Sequence, residues 1–177
     1  MQRLADAVIC PAGPSDAVDL ARVHITAWRE TYSGLLPKPY LEAMSVARHA
    51  KRWSLQLMRP GSGEVVLAAE APDGLVGYCA GGAPAQADRP AEIFTLYVVR
   101  AAQRRGLGKG LLVCTARALE AKGASSLQLW VLNDNDPARA FYHRLGAHPV
   151  GERDVGRWSG GLKETLYSWK DIGILTR

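Results

Sequence analysis

The chain has 177 residues, of which 47% are hydrophobic, and 22 basic against 17 acidic residues give it a net charge of +5. This length suits one globular domain with a sizeable core, so we expect a single domain over residues 1–177. No stretch approaches the roughly 18 uninterrupted apolar residues of a membrane span, and no signal-peptide run opens the chain, so we expect a cytoplasmic protein that binds no membrane.

The first half of the chain predicts a mixture of strands and helices. Ser15 can cap a helix whose apolar face ends near Trp28, because apolar residues recur there at spacings of three and four. The turn Pro72-Asp73-Gly74 separates two apolar runs and predicts a hairpin. In chain order we expect a strand over residues 8–12, a helix from Ser15, a helical region over about 39–58 broken near Ser45, and strands over 64–70 and 75–80.

A glycine-rich turn, residues 103–110, lies between an apolar run over residues 93–99 and a helical pattern that begins at Leu111. The first N–H groups of a helix are unpaired and carry its positive dipole end, and glycine lets an anion approach them. The turn therefore predicts a diphosphate cradle. A P-loop would need glycine in place of Gln103 and Ser or Thr in place of Gly110, and a dinucleotide fingerprint would need glycine in place of Leu111.

The distribution of charge argues against a nucleic-acid partner, and the spacing of histidines and cysteines argues against a metal site. The densest basic cluster, Arg100, Arg104, Arg105 and Lys109, lies in or beside the glycine turn, where it would neutralise phosphate groups. The positive charge forms no dense stripe with interleaved aromatic residues, so we expect no nucleic-acid partner. The four histidines and three cysteines show no metal-ligand spacing, so we expect no metal.

The remainder of the chain continues the alternation of strands and helices. We expect a strand over residues 127–132, a helix after Asn135, a short strand, a loop over 151–161 and a last strand over 162–169. The loop carries Arg153, Asp154, Arg157 and Trp158, and we expect it to form a wall of the substrate site. The fold class is therefore mixed α/β.

Four segments of the sequence resemble the GCN5-related N-acetyltransferase (GNAT) superfamily. Its Gln/Arg-x-x-Gly-x-Gly/Ala signature is matched by Gln103-x-x-Gly106-x-Gly108, and the resemblance extends over about residues 64–148. The other similar segments are the central strand at 91–98, the next strand at 127–132 with the helix pattern Asn135-x-x-Ala138-x-x-Phe141-Tyr142-x-x-x-Gly146, and an opening at 27–37 like that of many bacterial members.

The resemblance implies an α/β fold with a strongly twisted mixed sheet of six to seven strands flanked by about four helices. The strands at 93–99 and 127–132 would splay apart, and their open backbone groups would hold the pantetheine arm of acetyl-CoA, as an added peptide strand is held at a sheet edge. The resemblance assigns acetyl-CoA binding to Leu96, Tyr97, Val98, Gln103, Arg104, Arg105, Gly106, Leu107, Gly108, Lys109, Asn135, Ala138 and Tyr142.

The implied activity is acetyl transfer by direct attack of a primary amine in a ternary complex, and two residues match positions of chemical importance. Tyr142 would be the general acid that protonates the leaving thiolate, since a phenol can donate its proton there. Glu92 would be the general base, acting through water, and solvent is the alternative base. Asn135 could hydrogen-bond the pantetheine chain, cap its helix, or do both.

Trp28, Tyr32 and Glu92 are the expected contacts of the acceptor. The two aromatic residues could hold an amine by cation–π contact, or Trp28 could simply end the apolar face of its helix. Tyr97 and Trp130, in apolar strands, are expected to be core residues. We expect the acceptor to be a small-molecule amine; the alternatives are a lysine or N-terminal amine of a protein, or a non-catalytic CoA-binding regulatory module. The superfamily contains many dimers, so a homodimer is also compatible with the sequence.

Overall fold

The chain forms an eight-stranded sheet with helices on both faces. The computed structural model describes residues 2–4, 6–58, 63–83, 89–156 and 161–177. The strands are β1 (Gln2–Leu4), β2 (Ala7–Pro11), β3 (Glu64–Ala71), β4 (Gly74–Gly82), β5 (Ala91–Val98), β6 (Leu127–Leu132), β7 (His148–Asp154) and β8 (Lys163–Trp169). The helices are α1 (Ala17–Tyr32), α2 (Lys38–Glu42), α3 (Val46–Leu57), α4 (Leu107–Glu120), α5 (Asp136–Arg144) and α6 (Gly173–Thr176).

The strand order confirms the expected mixed α/β architecture. The strands lie in the order β1-β2-β3-β4-β5-β6-β8-β7. Only β5 and β6 pair in parallel, and the other neighbours are antiparallel. The sheet exceeds the expected six to seven strands because the three-residue β1 adds an edge to β2. Four of the helices have nine residues or more, in agreement with the expected number.

Both faces of the central strands are buried, which explains their apolar sequences. Side chains alternate between the faces of a strand. On β4, Tyr78 therefore packs in the cluster with α1 and α3, whereas Cys79 packs in the cluster with α4. In α4, Leu111, Leu112 and other residues at spacings of three and four are fully buried against the sheet. None of the helices in the described part of the chain has the length and apolar character needed to cross a membrane.

Three of the expected element boundaries are wrong; the third, the start of α4, is described with the glycine turn below. Ser15 does not cap α1, because it lies in a short 3-10 turn and Asp16 is the N-cap residue. The loop expected over residues 151–161 begins later, because β7 extends to Asp154 by pairing with β8. All of β7 is solvent-exposed, so its sequence lacks the apolar alternation that would have predicted it. The proposed wall residues Arg157 and Trp158 lie outside the described residues.

The break expected near Ser45 is confirmed. It separates α2 from α3, and the Ser45 hydroxyl caps α3 by accepting a hydrogen bond from the backbone N–H of Arg48 at 3.4 Å. This arrangement follows the preference for serine at the N-cap position. The break matters for the site described below, because it lets α3 run back across the face of the sheet beside α1.

Candidate active site

The parallel strands β5 and β6 pair over three residues and then separate. Ala91, Glu92 and Ile93 pair with Leu127, Gln128 and Leu129. Beyond Ile93, β5 continues to Val98 and β6 to Leu132 with no further pairing between them in the described structure. The predicted splay of these two strands is therefore confirmed. It leaves an open wedge in the middle of the sheet, bordered by the backbones of both strands.

The hydrogen-bond alternation along β5 determines which backbone groups border the wedge. The N–H of Val99 donates to the carbonyl of Val76 on β4. Successive residues of an antiparallel strand alternate in direction, so Val98 and Leu96 direct their N–H groups away from β4 and into the wedge. Tyr97 instead faces β4 with its backbone groups. Of the three predicted contacts on β5, Leu96 and Val98 thus present free donors to a ligand in the wedge.

A β-bulge in β5 lies where the two strands part. On β4, Ala80 pairs with Thr95 and Gly81 pairs with Ile93, so Phe94 is the extra residue. Phe94 is 50% exposed, and its ring covers Gly82, where a Cβ atom would lie 3.0 Å from the ring. Bulges bend a strand and redirect its side chains. This one places an exposed aromatic ring at the closed end of the wedge.

The glycine turn lies at the opposite end of β5. Helix α4 begins at Leu107, four residues earlier than predicted, so the helix includes Gly108 and Lys109. Its N-cap is Gly106, which has a φ of 83° and no side chain to cap the first N–H groups. These groups are the unpaired donors of the first turn. Leu107 is 3% exposed, so only its backbone could contact a ligand.

Exposed cations surround these donors. Arg104, Arg105 and Lys109 are exposed, and within the described residues none of them forms an ion pair. Arg100 differs, because its backbone N–H donates to Glu30 Oε2 at 2.7 Å and its guanidinium donates to the Glu30 carbonyl at 2.6 Å. Arg100 therefore ties the turn to α1, and three cations remain available to a phosphate group.

Two predicted ligand contacts also have structural partners. The side-chain amide of Gln103 donates to the Val98 carbonyl at 2.9 Å and so holds the turn against the end of β5. Asn135 Oδ1 accepts a hydrogen bond from the backbone N–H of Ala138 at 3.2 Å, which confirms its expected N-cap role on α5. Their contacts with acetyl-CoA stay predictions. Both interactions position backbone at the borders of the wedge.

Tyr142 projects from α5 into an aromatic cluster and is 8% exposed. Its ring centroid lies 5.0 Å from that of Phe141 and 6.2 Å from that of Trp169. Burial raises the pKa of the Tyr142 phenol well above its ordinary value, and the neighbouring Cys79 and Tyr32 raise it further. Cys79 lies on the α4 face of the sheet and Tyr32 at the end of α1 on the other face. The phenol is thus protonated at neutral pH.

Glu92 lies at the paired end of the wedge, two residues before the bulge. It is half-buried, and its Oε2 accepts a hydrogen bond from Gln128 Nε2 at 3.2 Å. Gln128 is its direct neighbour on β6. The carboxylate does not belong to the lining of the cavity described next, so its role as a base stays a prediction.

A cavity of about 410 Å³ lies between the sheet and helices α1, α2 and α3. It reaches β5 at the bulge, through Phe94 and Thr95. Trp28 lines it, whereas Tyr32 lies behind Trp28, with ring centroids 5.0 Å apart. The lining residues are His24, Trp28, Tyr40, Met44, His49, Arg52, Trp53, Gln56, Ala80, Phe94 and Thr95.

His24 is the most enclosed titratable group of this cavity. Its Nδ1 shares a hydrogen bond of 2.6 Å with the Tyr78 hydroxyl, and its ring stacks on Trp28 at 5.3 Å. Burial, together with the nearby positive charges of His49 and Arg52, lowers the pKa of His24 to about 4. His24 is therefore neutral at neutral pH. The sequence interpretation missed His24; its only signal was the spacing of four residues from Trp28 on one helical face.

Trp130 does not lie in the core as expected, whereas Tyr97 does pack among buried aromatic residues. Trp130 is half-buried, and the guanidinium of Arg153 lies 4.0 Å above its ring. Arg153 is itself held by Glu164, to which its Nε donates at 3.0 Å. The Tyr97 ring meets His24 edge-on at 5.2 Å. The difference arises because Trp130 points to the face of β6 that no long helix covers.

Comparison with known proteins finds one family model and relatives that are named as N-acetyltransferases. Residues 25–147 match the model of the acetyltransferase (GNAT) family. The chain is 28% identical over 163 residues to the uncharacterized N-acetyltransferase YuaI of Bacillus subtilis, covering 90% of this chain and 91% of the relative. It is 30% identical over 152 residues to the probable N-acetyltransferase Rv2775 of Mycobacterium tuberculosis, covering 79% of each chain.

Solved structures share the fold. The PaiA N-acetyltransferase of Thermoplasma acidophilum in complex with coenzyme A superimposes with a TM-score of 0.76 at 21% identity, covering 92% of this chain and 97% of that one. The acetyltransferase yncA of Salmonella typhimurium with acetyl-CoA gives a TM-score of 0.69 at 19% identity, covering 93% and 94%.

Proposed function

The chain belongs to the GNAT acetyltransferase family, and on that premise we propose that it transfers an acetyl group from acetyl-CoA to a primary amine of a small molecule. One observation carries this proposal: the open edge of β5 connects the glycine turn at its C-terminal end with the cavity at its bulge. A long cofactor that carries phosphate at one end and a thioester at the other suits such a path.

The chain has groups suited to each part of acetyl-CoA. The diphosphate would bind the first-turn N–H groups of α4, with Arg104, Arg105 and Lys109 providing opposite charge. The pantetheine amides would pair with the backbone N–H groups of Leu96 and Val98, as a peptide adds to a sheet edge. The thioester would then lie near the bulge, where the wedge closes.

Acetyl transfer needs a neutral amine, a positioned thioester and a proton for the leaving sulfur. The amine nitrogen attacks the thioester carbonyl, the C–N bond forms and the C–S bond breaks. Tyr142, which is protonated at the start of the step, donates its proton to the developing thiolate. The nitrogen loses one proton as the amide forms, and this proton restores the Tyr142 phenol. Glu92 would remove the proton of the incoming ammonium through water, with solvent as the alternative base.

The size of the cavity favours a small-molecule acceptor over a protein. Its volume of about 410 Å³ falls within the range of about 300–1,000 Å³ typical of small-ligand sites. Three helices and the sheet border it on several sides, whereas a peptide segment would need an extended groove. A protein acceptor or a CoA-binding module without turnover would each give a different outcome in the following experiment.

Calorimetric titration with acetyl-CoA, followed by thiol release with a panel of amines, tests the proposal. We expect binding, and we expect Lys109→Gln to weaken it by about ten- to a hundredfold, since a hydrogen bond to a charged group contributes about 1.5–3 kcal/mol. Lys122→Gln is the control, because Lys122 is an exposed lysine that follows the other end of α4. Absence of binding would refute the proposal, and binding without thiol release would favour a regulatory module.

A further inference from the structure

We propose that the acceptor is an amine that carries both a ring-sized apolar body and a carboxylate, and that Arg52 binds this carboxylate. The inference rests on the proposed acetyl transfer and specifies the class of its acceptor. It follows from the charge and the aromatic walls of the cavity between α1, α2, α3 and the sheet.

The cavity presents positive charge and no negative charge. Among its lining residues in the described part of the chain, Arg52 is a permanent cation, two are histidines and none is acidic. Helix α3, which forms one wall, contains Arg48, Lys51 and Arg52 and no acidic residue. Such a surface attracts carboxylates and repels compounds with several ammonium groups, because charges of like sign meet across a small distance.

Acidic residues of the surrounding elements are engaged with other partners. On α1, Asp19 pairs with Arg22 at 2.8 Å, and Glu30 accepts hydrogen bonds from Arg100. The acidic residue next to the lining is Glu64, an exposed residue that accepts a hydrogen bond from Gln56 at 2.6 Å. It does not line the cavity, so the positive charge of Arg52 faces the cavity without a carboxylate of the protein.

Arg52 is the cation available to a ligand. It is exposed, it lines the cavity, and it forms no ion pair with any residue that the structure describes. Its charge reaches the interior of the cavity, because it contributes to the lowered pKa of His24. A guanidinium binds a carboxylate through two parallel hydrogen bonds. A ligand carboxylate at this wall would therefore be both attracted and oriented.

The other walls suit a planar apolar group. Four of the lining residues, Trp28, Tyr40, Trp53 and Phe94, are aromatic, and the Trp28 and Tyr40 ring centroids lie 6.2 Å apart. Aromatic faces stack favourably on other rings. Such walls would contribute little to binding of a hydrophilic chain, so they favour an acceptor with a ring or a comparably large apolar side chain.

Matched acceptors that differ only in the carboxylate test the inference. We would measure thiol release from acetyl-CoA with phenylalanine and phenethylamine, with tryptophan and tryptamine, and with spermidine. The wild-type protein should prefer the carboxylated member of each pair by about ten- to a hundredfold in kcat/KM, which is the contribution expected of a charge-assisted hydrogen bond. Arg52→Gln should remove this preference, chiefly by lowering kcat/KM for the carboxylated amines.

Lys51→Gln is the matched control, because Lys51 is an exposed cation on the same helix that does not line the cavity. It should retain the preference for the carboxylate. Faster turnover of spermidine, phenethylamine or tryptamine than of the carboxylated pair members would overturn the inference and leave acetyl transfer standing. So would acetyl-CoA binding without turnover of either amino acid. Failure of acetyl-CoA to bind would instead refute the proposed function on which the inference rests.

Discussion

The replacement Tyr142→Phe should separate catalysis from stability. The ring packing of Tyr142 against Phe141 and Trp169 is retained by phenylalanine, and within the described residues no hydrogen bond to its hydroxyl is lost. We therefore expect the free energy of unfolding to change by less than about 1 kcal/mol. A general acid contributes about 10²–10⁴-fold to the rate, so kcat should fall by that factor while acetyl-CoA affinity is kept.

The neighbouring Tyr167 gives the matched control. It is 4% exposed, its ring centroid lies 6.5 Å from that of Tyr142, and its hydroxyl accepts a long hydrogen bond of 3.4 Å from Arg139 Nε. Tyr167→Phe should lower the free energy of unfolding by about 0.5–1.5 kcal/mol and leave kcat unchanged. Urea unfolding and steady-state thiol release measure both quantities. Full activity of Tyr142→Phe, or an equal loss in Tyr167→Phe, would refute the assignment of the general acid.

The pH dependence offers a second check of Tyr142. Burial raises the pKa of its phenol above the ordinary value of 10.0, so the group keeps its proton throughout the neutral range. Ionisation of Tyr142 should therefore cause no loss of kcat below about pH 10. A decline of kcat with a midpoint near about pH 8 that disappeared in Tyr142→Phe would contradict this reasoning.

Four further predictions concern the turn, the cavity and the base. Gly108→Ala should preserve the free energy of unfolding, since its Cβ would lie an ordinary 3.7 Å from the Phe141 ring, whereas Gly108→Leu should abolish acetyl-CoA binding in calorimetry. Gly106→Ala should lower the free energy of unfolding by about 1–2 kcal/mol, because its φ is 83°. His24 has a pKa of about 4 in the folded protein against 6.5 ordinarily, so the unfolded state binds a proton first as the pH falls. Stability should therefore be lost between those values, by up to about 3 kcal/mol in urea unfolding, and His24→Gln should reduce that loss. Glu92→Gln should lower kcat most at acidic pH, and an unchanged pH–rate profile would transfer the role of base to solvent.

Local patterns were sufficient to predict most of the secondary structure. Apolar runs bounded by Gly and Pro predicted the hairpin of β3 and β4, and Ser45 indicated the division between α2 and α3. The signature in the glycine turn indicated the family resemblance, and that resemblance predicted the separation of β5 from β6. These features could be predicted because strands, caps and tight turns depend on residues that are neighbours in the chain.

Elements stabilised by distant partners were predicted less well. The exposed strand β7 extends to Asp154 only because β8 pairs with it, and Arg100 is held by Glu30, which is 70 residues away. The start of α4 at Leu107 was also missed, because glycines weaken the helical pattern and the left-handed conformation of Gly106 is not visible in a hydrophobic period.

The amino-acid sequence by itself determined the family, the fold class and the position of the glycine turn, since each depends on a contiguous motif. Only the tertiary structure brought His24, Arg52 and Phe94 together around a cavity, because they come from α1, α3 and the bulge of β5. Such a cavity forms where helices cross a sheet. Its charge is the sum of side chains that lie far apart in the sequence, so no local sequence pattern predicts it. The inference about the acceptor therefore depends on the tertiary structure.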